Sequence, residues 1–206
     1  MSKLILNLHH DSDLENPSDN DGWNVHSFSR RHINFTEPGD LGLSHSLDSS
    51  TGLPTVRNPG LRRKLATGLA FFLSYFEHGN SLWFLHGEQP AGVEFRWDGV
   101  RVAGLLVWEG KPGDLGPKTY EDRRADASRF LETYTAWANG EGYGYVIEDE
   151  NGDHVDSCFG FYGNDMEAMF EQIRPQLEGH KYEVRGEAAY LAEYHDLLDG
   201  KRQVVA

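Results

Sequence analysis

Apolar and polar positions along this chain follow two rhythms, and the switches between them predict its elements. Residues 3–8 (KLILNL) read as a short first strand, and residues 23–28 as a second, after an acidic loop from Asp11 to Gly22 with five carboxylates. Residues 29–57 are rich in Gly, Ser, Asp and Pro with little periodicity. A connection of that length inside a compact domain is usually functional or mobile, which makes 29–57 a long irregular candidate for a binding or capping loop. Asn58 then offers a capping oxygen and Pro59 suits a first helical position. Leu61, Leu65, Leu69, Phe72 and Phe76 continue at helical spacing until Gly79.

Strands are predicted over 81–86 and 99–108, with a third around 93–97 turning at Asp98-Gly99. Thr119 with Asp122 forms a variant of the capping box, and Ala127, Phe130, Leu131, Tyr134 and Trp137 mark the buried stripe of a helix ending near Asn139-Gly140. Residues 143–163 hold two alternating runs around Asn151-Gly152, a strong local hairpin signal because both turn residues readily take positive φ. A two-residue turn would pair Asp149 with His154, Ile147 with Asp156, Tyr145 with Cys158 and Tyr143 with Gly160. It would also lay Phe159 over Gly144 as aromatic cover for a strand glycine. Two helices close the pattern. One starts near Asn164 with Met166, Met169, Phe170, Ile173 and Leu177 inward and Pro175 bending or ending it; the other covers 187–199. Strands and helices without regular βαβ alternation predict an α+β fold, a single domain over 1–206 with a mixed or antiparallel sheet packed by about four helices.

Composition narrows the function classes. The 206 residues carry a formal charge of -14, and it is unevenly spread: 1–140 hold 18 acids and 14 bases, whereas 141–200 hold 15 acids and 3 bases. Direct nucleic-acid binding by bulk charge is disfavoured, since it requires Lys and Arg to displace counterions from phosphates. One cysteine, Cys158, excludes an internal disulfide and a CxxC-type zinc site, and fits a reducing, cytoplasmic setting. No apolar run approaches the roughly 20 residues a bilayer span needs, so no membrane partner is expected.

Several clusters carry candidate chemistry. His9, His10, Asp11 and Asp13 offer imidazole and carboxylate for a metal, with His26 and His32 as further candidates, although adjacent strand residues point apart and no HExxH spacing is present. Arg62, Arg63 and Lys64 fall early in the Pro59 helix, where the macrodipole disfavours cations, so acidic loops or a ligand anion should compensate. Arg30, Arg31 and His32 form a second basic cluster with the same alternatives. His154, Asp156 and Cys158 share a strand face, but at nearly 7 Å per two residues a nucleophile and its base are too far apart for a direct hydrogen bond. Gly140, Gly142 and Gly144 follow a helix and precede a strand, the wrong order for a dinucleotide loop. No catalytic set and no cofactor motif emerges.

The segment TAWANGEGYGYVIEDENGDHVDSCFGFYGND resembles the C-terminal part of a family of uncharacterised small proteins encoded by tailed bacteriophages and related mobile elements. In that family a Tyr-Gly-Tyr strand, an acidic turn and an Asp-Ser-Cys-aromatic-Gly-Phe strand recur. The N-terminal pattern is similar too: a strand, then Asn16-Pro17, Asp19-Asn20-Asp21-Gly22 and Phe28-Ser29-Arg30-Arg31. Ser27 and Ser29 stand where the family commonly has Cys and His, and His32 where it has an aromatic. The resemblance implies expression in the cytoplasm of a bacterial host.

Two functions follow as expectations. In the first, a non-catalytic phage accessory protein binds a host protein, for counter-defence or host takeover, through an acidic surface of Glu148, Asp149, Glu150, Asp153, Asp156, Glu167 and Glu171 that mimics nucleic-acid charge. In the second, a small enzyme or anionic-ligand binder uses the N-terminal His/Asp and Arg clusters. The hairpin's exposed edge also allows a homodimer.

Overall fold

The computed structural model describes residues 3–19, 22–88, 90–116 and 118–186, and over these the two rhythms resolve into three helices and ten strands, more strand than the periodicity suggests. In chain order the elements are β1 (Lys3–His10), β2 (Trp23–Ser27), β3 (Leu43–Leu47), β4 (Pro54–Val56), α1 (Pro59–Ala66), β5 (Ala70–His78), β6 (Asn80–Leu85), β7 (Gly99–Trp108), α2 (Tyr120–Ala138), β8 (Gly142–Asp149), β9 (His154–Tyr162), α3 (Met166–Leu177) and β10 (Lys181–Arg185). The fold is α+β, and the expected helix over 187–199 lies outside the described residues. The chain divides into two compact units, residues 1–15 with 136–206, and residues 16–135. No described helix is long and apolar enough to cross a membrane.

The unit of 1–15 and 136–206 is built on a mixed four-stranded sheet in the order β10-β1-β8-β9. Leu4, Leu6 and Leu8 alternate inward from β1 and meet Tyr145, Ile147, Phe161 and the α3 stripe of Met166, Met169, Phe170, Ile173 and Leu177. That stripe is the one the helical spacing predicts, and Pro175 sits in the last turn, where little backbone bonding remains to lose. In the hairpin, Ile147 pairs with Asp156 and Tyr145 with Cys158 as expected, but bulges on either side pair Glu148 with His154 and Tyr143 with Phe161. The turn is also longer than two residues. Within it Gly152 alone has positive φ (86°), and the Asp149 carboxylate accepts the Asn151 and Asp153 amides at 2.8 and 2.9 Å. Phe159 does cover Gly144, so closely that a Cβ there would overlap the ring. The periodicity gives no sign of β10. It pairs parallel with β1, Lys3 opposite Lys181, and Glu183 takes a 2.7 Å ion pair from Lys3 and a 3.0 Å one from Arg185.

The 16–135 unit holds an antiparallel sheet in the order β2-β7-β5-β6. One set of apolar residues, Ala70, Phe72, Leu105 and Val107, packs with Leu61 of α1 and Leu43 of β3. From the opposite set Trp83 meets Tyr134 of α2, whose Ala127, Phe130 and Leu131 are buried with it, while Trp137 is half-buried. The expected helix over 58–79 is corrected here. Asn58 caps it as expected, accepting from the Gly60 and Leu61 amides, but α1 ends at Ala66 and the chain re-enters as β5. Gly68 takes φ +71°, a left-handed turn that stops the helix, and Leu69, Phe72 and Phe76 share helical spacing by coincidence in a strand. Residues 93–97 form turns, not a strand. The segment expected to be irregular, 29–57, contains the β3–β4 hairpin.

Candidate functional site

Strand β5 places Tyr75 and Glu77 two residues apart, hence on one face of the sheet, and Tyr75 lies directly opposite Trp83 of β6 and Val100 of β7. Between Leu73 and Tyr75 the β5–β7 register slips: Leu73 faces Gly104 but Tyr75 faces Val100, so β7 bulges at residues 101–103. The bulge is held from three sides. Ser74 Oγ donates to the Arg101 carbonyl at 2.8 Å, the His86 ring meets the same carbonyl at 2.7 Å, and the Phe28 amide donates to Ala103 O at 2.9 Å. Bulges of this kind bend a strand and open a surface next to it. Here a cleft of about 850 Å³ results, lined by Ser27, Phe28, Ser29, Arg31, His32, Tyr75, Glu77, Trp83, Asp98, Val100, Val102 and Ala103.

The wall facing the sheet is the tight turn after β2. Ser27 is fully buried, and its Oγ accepts the Ser29 amide at 3.1 Å; the Ser27 backbone bridges to Asn34 and Thr36 at 2.9 and 2.8 Å. This folds residues 28–34 into a loop that lays His32 on the aromatic floor. Its imidazole stands edge-on to Tyr75 (4.9 Å) and Trp83 (5.1 Å), and those two rings are themselves 4.7 Å apart. Loss of hydration in that setting lowers the His32 pKa below 6.5, against a smaller upward pull from Glu77. His32 is therefore a neutral imidazole at pH 7. Neither ring nitrogen has a hydrogen-bond partner among the described residues. Tyr75 donates its hydroxyl to Glu77 at 2.9 Å, and burial together with that carboxylate pushes its pKa up to about 12. Arg31 is exposed at the cleft, and its guanidinium has no ion-pair partner among the described residues. Asp98, from the turn before β7, holds His78 Nδ1 at 3.0 Å.

No family model, curated protein or solved structure matches this chain. The chemistry of the cleft therefore rests on its own geometry.

Of the residues singled out in the sequence, Arg31 and His32 meet in this cleft. Arg30 turns away, over the Phe35 ring at 5.7 Å and 3.6 Å from Glu37. Arg62, Arg63 and Lys64 do not join them. Arg62 donates to Val56 O at 2.8 Å and Lys64 to Trp108 O at 2.7 Å; because α1 is only eight residues long, Arg63 and Lys64 fall in its last turn, where the dipole favours cations. The compensation demanded by a long helix is not needed in a short one.

The His9, His10, Asp11 and Asp13 cluster is dispersed, and among the described residues no group of three or more His, Cys, Asp or Glu is placed to hold a metal ion. His10 bonds Gly140 O at 2.7 Å, His9 packs on Phe159 at 6.0 Å, and Asp11 accepts the Asp13 and Gly160 amides at 3.0 and 2.9 Å. His26 bonds Thr36 and Glu109. Nor do His154, Asp156 and Cys158 assemble. His154 bonds Ser157 at 3.0 Å, and Asp156 accepts the Tyr145 hydroxyl at 2.9 Å.

The acidic residues divide by role. Glu148 accepts from Asn7 at 3.0 Å, Asp149 closes the hairpin turn and Asp156 anchors Tyr145. Glu150, Asp153, Glu167 and Glu171 are exposed, with no ion pair among the described residues. Tyr75, Glu77, Trp83 and Asp98 escape sequence reasoning because residues 69–76 read there as helix. The φ-permissive Gly68 ahead of an aromatic run of strand formers is the available signal.

Proposed function

We propose that the 16–135 unit binds a small anionic ligand in the cleft between the 28–34 loop and the β5–β7 floor. The observation that carries this reading is the pairing of an exposed Arg31 that lacks an ionic partner among the described residues with a neutral His32 whose ring nitrogens are unbonded there, both lining one polar cleft. Arg31 supplies the charge and a fork of donors, and His32 supplies one donor and one acceptor without competing for the anion's charge. A ligand bound only to the folded chain raises its melting point, by about 2.7 kcal/mol of stability at a hundredfold excess over Kd. The test is a thermal-shift panel of inorganic phosphate, nucleoside monophosphates, sugar phosphates and divalent metals against the wild type and Arg31→Ala. A shift that the variant loses supports the reading. No shift from any anion, or a shift the variant keeps, refutes it.

The resemblance to tailed-phage proteins and the exposed carboxylates of Glu150, Asp153, Glu167 and Glu171 support a second reading, in which the protein is a phage accessory factor that also docks a basic host protein. Affinity capture from bacterial lysate at two salt concentrations tests it. A partner held at low salt, released at high salt and lost on changing these four residues to Gln and Asn is expected; an unchanged partner profile in that variant sinks the idea.

A further inference from the structure

We infer that the ligand of this cleft is a nucleoside monophosphate, its phosphate on Arg31 and its base stacked on Trp97. The inference rests on the anion-site reading and adds to it the base and the sugar.

Trp97 precedes the cleft residue Asp98 and is 78% exposed, in a chain whose Trp23, Trp83 and Trp108 are 2%, 3% and 8% exposed. So large an apolar ring is seldom left in water without a partner to cover it. The Arg96 guanidinium lies over the indole at 5.1 Å, and Arg101, next to Val100 of the cleft, lies over Phe95 at 4.6 Å. The indole is thus already polarised and oriented on one side, as a platform for a second flat ring on the other. On the opposite wall Ile33, next to His32, is 82% exposed.

The lining explains the middle of the ligand. A site for a bare anion has no use for carboxylates, yet Glu77 and Asp98 both line this cleft. They fit a ligand that carries hydrogen-bond donors beside its anionic group, as a ribose carries hydroxyls. About 850 Å³ is also far more than a lone phosphate fills and is within the range of small-molecule sites. The charge of the unit argues against a longer strand: residues 16–135 hold 15 acids and 13 bases, too few cations to neutralise successive phosphates.

Indole fluorescence tests this directly, because Trp97 is the most exposed of Trp23, Trp83, Trp97 and Trp108. AMP, ribose 5-phosphate and inorganic phosphate are titrated into the full chain, with fluorescence and melting point as readouts. The expected result is quenching and a thermal shift with AMP, and at least tenfold weaker binding of ribose 5-phosphate, without quenching. Trp97→Phe should keep the AMP shift while losing the quench, Trp97→Ala should weaken AMP about tenfold, and Arg31→Ala should abolish the response to all three. Both substituted side chains are exposed, so the variants fold. If ribose 5-phosphate binds as tightly as AMP and Arg31→Ala still removes it, the nucleotide is refuted and the anion site stands. If none of the three binds the wild type, both fall.

Discussion

Gly68 decides whether residues 69–76 become strand, and replacing it by alanine measures how firmly. At φ +71° an L side chain sits in the left-handed region, at a cost of about 1–2 kcal/mol. A Cβ there would also lie 3.1 Å from Tyr120 Cδ2 and 3.4 Å from Arg123 Cβ, tight enough to displace the start of α2 and to add about 1 kcal/mol. Gly68→Ala should therefore cost about 2–3 kcal/mol. Gly52 is the internal control, with φ +68° and nothing within 4 Å of the methyl that alanine would add, so Gly52→Ala should show the backbone cost alone. Urea unfolding followed by tryptophan fluorescence reads both, as a fall in midpoint at unchanged slope. Gly68→Asn should recover part of the loss, because asparagine tolerates this backbone better than alanine. If Gly68→Ala costs no more than Gly52→Ala, the contact with α2 contributes nothing. If it costs less than about 0.5 kcal/mol, well under the left-handed penalty, that turn does not decide the switch from helix to strand.

Ile147 and Leu105 are fully buried in different units, and truncation of either to alanine should cost about 2–5 kcal/mol, read in the same urea experiment. His26 and His32 both have pKa values lowered mainly by burial, so the unfolded chain takes up their protons first as pH falls. Their stabilisation is present above about pH 6.5 and lost progressively below it; replacing both by Gln should flatten the decline of melting point between about pH 7 and pH 5. NMR titration should place both imidazole midpoints below 6.5, and Glu77→Gln should lower that of His32 further, since Glu77 opposes the effect of burial there. A His32 midpoint above 6.5 would contradict its place on the aromatic floor.

Local pattern determined the elements whose partners lie close in sequence. The α2 stripe, the α3 stripe and the β8–β9 pairings of Ile147 with Asp156 and Tyr145 with Cys158 are all legible in the chain, because residues within a turn or a hairpin set each other's geometry. The tertiary structure decided the rest. Strand β10 exists through a parallel ladder to β1 that joins Lys3 to Lys181, and no local periodicity encodes a pairing that remote. Leu69, Phe72 and Phe76 satisfy a helical spacing and a strand equally well, and only the place of β5 between β6 and β7 selects the strand. The cleft has the same origin. Arg31 and His32 stand out in the sequence as a basic cluster, but the floor beneath them comes from β5, β6 and β7, and the bulge at residues 101–103 opens it, a feature of register between strands and not of any one of them. The seven carboxylates that the sequence gathers into one acidic surface divide into three with structural roles and four left to solvent, a division set by which polar groups the fold brings within reach.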